Sequence, residues 1–152
     1  MFNEKDFCDC ETSIALKELG FREKCFCYYD ILDNVGLLYN TEYTCEVLPC
    51  QYMDCTKSHN TLDDDCVDAP TLYEVQKWLR DEKNIHIGIM CGYVSFAPNG
   101  EFDIVEKQGY YAKVYVLGKT VYNVDNHLQD YDTCEEALVA GIRKAIEILK
   151  VK

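Results

Sequence analysis

Apolar residues recur along this chain with two different periods, and the changes of period mark out its elements. "CETSIALKELGF" at 10–21 spaces Ile14, Ala15, Leu16 and Leu19 for a short helix. Gly20 stands where a left-handed C-terminal cap belongs. The aromatic-rich "CFCYYDIL" then reads as a strand, "DNVG" as a turn and "GLLYN" as a returning strand. Residues 40–69 hold no sustained period. With Pro49 and an acidic cluster, they predict a long irregular segment.

Order resumes at "DAPTLYEVQKWLRDEKN". Leu72, Val75, Trp78 and Leu79 fall at helical spacing, so an amphipathic helix is expected over 71–83, with Asp68 or Thr71 as its cap and Pro70 near its first turn. "IHIGIMCGYVSFA" predicts a strand. Asn99-Gly100 is a strong hairpin signal, and "EFDIVEK" should pair back across it. In "GYYAKVYVLG" the residues alternate. Tyr110, Ala112, Val114 and Val116 share one face, and Tyr111, Lys113, Tyr115 and Leu117 share the other. Gly118-Lys119 turns into "TVYNV". The last element, "DTCEEALVAGIRKAIEILK", predicts a helix over 133–149, capped by Asp132 or Thr133, with Ala137, Leu138, Ile142, Ala145, Ile146 and Leu149 as its buried stripe. Glu135 and Glu136 favour its positive end, and Lys144 and Lys150 its negative end.

Together these elements predict an α+β fold in one domain spanning 1–152. Its centre is an antiparallel sheet of about four to six strands, with helices 71–83 and 133–149 on one face. Residues 1–40 form an acidic helix–hairpin that extends the sheet or stands as a small lobe. Residues 41–69 form an irregular acidic linker, and residues 70–150 a helix–strands–helix core. Trp78, Leu79, Ile87, Ile89, Val114, Val116, Leu138, Ile142 and Ile146 are the expected core.

Charge adds an asymmetry to this outline. The 152 residues carry 27 acids against 15 bases, a net charge of −12. Residues 1–69 hold 15 acids and 5 bases, net −10, whereas 70–152 hold 12 and 10, net −2. Phosphate contacts need Lys and Arg, so direct nucleic-acid binding is not expected. Acidic surfaces speed encounters with basic partners, which points to a basic protein. No apolar run approaches the ~20 residues of a membrane span, and "MFNEKDFCDCE" lacks the apolar stretch of a signal peptide. A cytoplasmic protein with reduced thiols is therefore expected.

Ten cysteines raise the question of a metal, most sharply in "TCEVLPCQYMDCTKSHNTLDDDC" at 44–66. Cys50, Cys55, His59 and Cys66 supply a zinc-competent ligand set. Their spacing is not that of a zinc knuckle, whose two-residue gap points both sulfurs at one ion. A step of five residues separates side chains by about 140° on a helix and puts them on opposite faces of a strand. The expectation is no bound metal and no cofactor, with cysteine-ligated zinc as the alternative. "DDD" at 63–65 lacks the alternation of a calcium loop. Cys134 opens the last helix, where the helix dipole lowers a thiol pKa while the neighbouring acids raise it. His59, His86 and His127 are distant in sequence, so no Cys–His pair is indicated. No phosphate loop, GxSxG or HExxH is present. A non-enzymatic protein is expected. Its candidate interaction surface is Tyr111 and Tyr115 on the strand face, together with Asp63, Asp64 and Asp65.

Three resemblances bear on this reading. The helix–three strands–helix order of 70–150 resembles the double-stranded-RNA-binding domain, which implies that shape. That family carries bases at the start of its last helix, whereas this chain has Thr133, Cys134, Glu135 and Glu136. "GYYAKVYV" followed by "YDTCEEALVAGIRKAIEIL" is similar to HicB-type antitoxins over 108–149, with Thr133, Glu135, Glu136, Ala137 and Leu138 matching. That family's Pro-Gly-Cys segment is replaced by "NVDNHLQDY". The likeness implies a neutraliser of a small basic partner protein, and a homodimer through the sheet edge. Finally, "ETSIALKELGF", "APTLYEVQKWLRDEKNIHI" and "YDTCEEALVAGI" are similar to small proteins of gut Bacteroidetes and their phages and prophages. This third likeness implies a phage or prophage setting; with the charge asymmetry, the expected role is an accessory protein that binds a basic one.

Overall fold

The computed structural model describes residues 3–32, 35–39, 65–92, 95–96, 102–103, 109–119, 121–123 and 131–151. The chain divides into two compact units, Met1–Glu74 and Val75–Lys152.

The first unit opens with a single 3-10 turn at Glu4–Asp6 and continues into helix α1, Cys10–Glu18. Asp9 caps α1 by accepting the Thr12 N–H at 2.8 Å. Gly20 takes φ +91 just past the helix, which lets the Phe21 N–H reach back to the Leu16 carbonyl at 2.9 Å. That backbone shape favours glycine. Strands β1 (Cys27–Asp30), β2 (Val35–Tyr39) and β3 (Cys66–Ala69) form a sheet in the order β2-β1-β3. Both pairings are antiparallel, with Cys27 opposite Tyr39 on one side and opposite Ala69 on the other. α1 packs on β3, and Lys17 Nζ donates to the Cys66 carbonyl at 2.9 Å. Phe7, Leu16, Phe21, Cys25, Cys27, Val67, Ala69 and Leu72 are buried.

Helix α2, Leu72–Lys83, begins in a reciprocal cap. Thr71 Oγ1 accepts the Glu74 N–H at 3.3 Å, and the Glu74 carboxylate accepts the Thr71 N–H at 2.7 Å. Thr71 is therefore the cap. Asp68, the other candidate, lies buried in β3.

In the second unit, Asn84 alone joins α2 to strand β4, Ile85–Gly92, and adopts φ +55. β7 (Gly109–Val116) is the centre of a sheet ordered β4-β7-β8, where β8 is Val121–Asn123. β4 and β7 are paired along their whole length, from Ile85 opposite Val116 to Gly92 opposite Gly109. A two-stranded ribbon of β5 (Ser95–Phe96) and β6 (Phe102–Asp103) flanks Asn99-Gly100. Helix α3, Cys134–Lys150, lies across β7 and β4. Thr133 caps it, accepting the Glu136 N–H at 3.2 Å. Its buried stripe is Ala137, Leu138, Gly141, Ile142, Ala145 and Ile146, and Leu149 is only half-buried. Trp78, Leu79, Ile87, Val114 and Val116 are buried as expected, but Ile89 is half-buried.

The class is α+β, but the expected single sheet of four to six strands is corrected. The described strands form two three-stranded sheets and one ribbon, because β1 takes β3 from the same unit as its second neighbour. The irregular linker expected over 41–69 is corrected at its end, where Cys66–Ala69 is a strand. Among the described residues, no helix is long and apolar enough to cross a membrane.

Candidate interaction surface

The sequence offered a thiol site and a tyrosine surface. Of the zinc-competent set, Cys66 is half-buried at the start of β3 opposite Asp30, while Cys50, Cys55 and His59 lie outside the described residues. Among the described residues, no group of three or more His, Cys, Asp or Glu side chains is placed to hold a metal ion. Among the described residues, the seven cysteines form no disulfide with one another.

Tyr29 lies within electrostatic reach of three of these thiols, Cys10, Cys8 and Cys27. Its hydroxyl donates to the Cys8 carbonyl at 2.9 Å. Burial pushes the Tyr29 pKa up to about 12, helped by the negative charge available at Cys10 and Asp9. Burial and Asp9 likewise raise the Cys10 thiol. Cys134 opens α3, and burial and then Glu135 push its thiol above the ordinary range. A nucleophilic thiol needs the opposite shift. The geometry around Tyr29 is that of a packed core with one hydrogen bond.

The tyrosine surface is better formed. α3 covers one face of β4 and β7. The other face presents His86, Gly88 and Met90 from β4, and Tyr111, Lys113, Tyr115 and, just beyond the strand, Leu117 from β7. Met90 is 44% exposed, Tyr115 38% and Leu117 65%. Register places Met90 opposite Tyr111, Gly88 opposite Lys113 and His86 opposite Tyr115. Gly88 has no side chain to stand between its neighbours, and the Tyr115 ring leans over it: a β-carbon there would lie 3.3 Å from Tyr115 Cε2. The result is a shallow groove of about 490 Å³ lined by His86, Ile87, Gly88, Tyr115 and Leu117. The Lys113 ammonium stands 5.8 Å from the centre of the Tyr111 ring.

Of the acidic triplet, Asp65 is exposed and its carbonyl accepts the Ile31 N–H at 2.8 Å, while Asp63 and Asp64 lie outside the described residues. Sequence alternation identified Tyr111 and Tyr115 as outward-facing but missed Gly88 and Met90. Reading "IHIGIMCG" for alternation as well would have put both on the same face as His86.

β4 is an edge strand among the described residues, and its edge carries a guard. Gln76 Nε2 of α2 donates to the Ile87 carbonyl at 2.9 Å. Such outward-facing groups otherwise invite a further strand.

The residues behind the antitoxin likeness fill cap and core positions. Thr133 is the α3 cap, Ala137 and Leu138 are buried, and Gly109 and Tyr110 open β7. Compared with family models, with characterised proteins and with solved structures, the chain matches none.

Proposed function

We propose that this chain is a non-catalytic accessory protein, of the phage or prophage type its sequence resembles, that binds a basic protein through its first unit. One observation carries the reading: charge is segregated by unit. Met1–Glu74 holds 16 acids and 5 bases, net −11, and Val75–Lys152 holds 11 acids and 10 bases, net −1. A charge needed only to keep the chain dispersed has no reason to gather in one unit. Gathered charge raises the on-rate toward an oppositely charged surface.

The test is affinity capture from the native host at low and at moderate salt, using the whole chain and a variant with Glu4, Glu11 and Glu23 changed to Gln. All three side chains are exposed. A captured basic protein that is lost at moderate salt, and weakened by the triple variant, supports the proposal. Capture indifferent to both salt and the three substitutions sinks it.

A further inference from the structure

The open face of β4 and β7 belongs to the nearly neutral unit and plays no part in the acidic encounter proposed above. We infer that this face is a second docking surface, and that it takes an extended peptide segment of a partner protein in which a carboxylate side chain is flanked by apolar ones.

The geometry sets the pattern. Tyr111, Lys113 and Tyr115 stand at alternate positions on one strand, hence about 6.7 Å apart in sequence. Among the described residues, Lys113 has no carboxylate partner, only the Tyr111 ring. An ammonium between two aromatic residues on an apolar face calls for an anion with apolar flanks. Beside Lys113 the Tyr115 ring lies against the bare Gly88, and the groove that it forms with His86 and Leu117 accommodates one apolar side chain of such a segment. Met90 and Leu117 extend the apolar surface at either end. Tyr and Met are residue types enriched in protein interfaces.

Charge complementarity selects among occupants. A second copy seated face to face would set Lys113 among cationic and apolar groups, with no acid on the described face to meet it. Nucleic acid would find one lysine where several phosphates need neutralising.

The probe is the peptide acetyl-Leu-Thr-Glu-Thr-Leu-amide, titrated into the isotopically labelled full chain and followed by backbone amide shifts. Control peptides carry Gln or Lys at the centre. Shifts should gather on Met90, Tyr111, Lys113 and Tyr115. Affinity should fall up to about fivefold with Gln and further with Lys. Lys113→Gln should erase the preference for Glu, and Gly88→Val, which displaces the Tyr115 ring that walls the groove, should weaken all three peptides. Four results would overturn the inference: no shifts at the face with millimolar peptide; equal binding of the Glu and Lys peptides; stronger shifts at the same amides with decathymidine; or shifts at this face that grow with protein concentration in the absence of peptide.

Discussion

Gly141 of α3 approaches Ile87 of β4 so closely that a β-carbon on the glycine would meet Ile87 Cγ2 at 2.5 Å, with the Ala112 Cβ at 3.3 Å. No side chain of any size fits there, and the helix can lie flat on the sheet only because position 141 is bare.

Gly141→Ala should therefore destabilise the protein although alanine is the better helix former. Overpacking costs about 1–3 kcal/mol, and Ile87, branched at Cβ, has little freedom to swing aside. The propensity gain of about 1 kcal/mol offsets only part of this. Urea unfolding should show a lower midpoint; an unchanged or higher one would mean the helix rides further from the sheet than described.

Tyr29 gives a dependence on alkaline pH. Its folded pKa of about 12 lies above the ordinary 10. The neutral phenol is the favoured form in the folded state, so its contribution is complete below pH ~10 and is lost as pH rises toward ~12. Tyr29→Phe removes the hydrogen bond to the Cys8 carbonyl and should cost about 0.5–1.5 kcal/mol at neutral pH. The variant should also lose stability less steeply between those two pH values. Parallel stability–pH curves for the two proteins would assign the alkaline loss to other groups.

Thr71 and Glu74 close the start of α2 on each other. Thr71→Ala should cost about 1 kcal/mol, and Thr71→Ser should recover most of it. Thermal denaturation of the three proteins decides this, and equal melting temperatures would deny the cap any weight.

Gln76→Leu should do two things. Removing the donor to the Ile87 carbonyl should cost about 1 kcal/mol. It also bares part of the β4 edge, so sedimentation should detect concentration-dependent association in the variant beyond that of the parent. A variant that associates no more than the parent would show that the edge is closed by something other than Gln76.

How much of this was legible in the sequence differs by element. α2 and α3 were, because Thr71 and Thr133 announce their starts and each buries a single stripe at helical spacing. The glycine turn after α1 was also legible. β3 was not: Val67, Asp68 and Ala69 are all buried, so both sides of the strand are covered and no alternation appears. Its pairing with β1 joins residues about forty positions apart, and no local signal encodes that register. The face of the candidate surface was legible from alternation alone. Its cross-strand partners were not. Counting symmetrically about Asn99-Gly100 sets Met90 opposite Gly109, whereas Tyr111 is its partner. Two residues separate β4 from β5 and five separate β6 from β7, so the two arms are unequal. The ribbon, pairing Ser95 with Asp103, takes back one position, so the net displacement from Gly109 to Tyr111 is two and leaves the faces unchanged.

Asn84 spans the whole distance between α2 and β4 by itself. A linker of one residue acts as a phase setting: it fixes which members of "IHIGIMCG" meet α3 and which meet water. One inserted residue that propagated into the strand would exchange the two sets, turning Ile85 and Ile87 outward and burying His86 and Gly88. Core and docking face are thus two readings of a single alternation, and a one-residue slip of the strand gives up both.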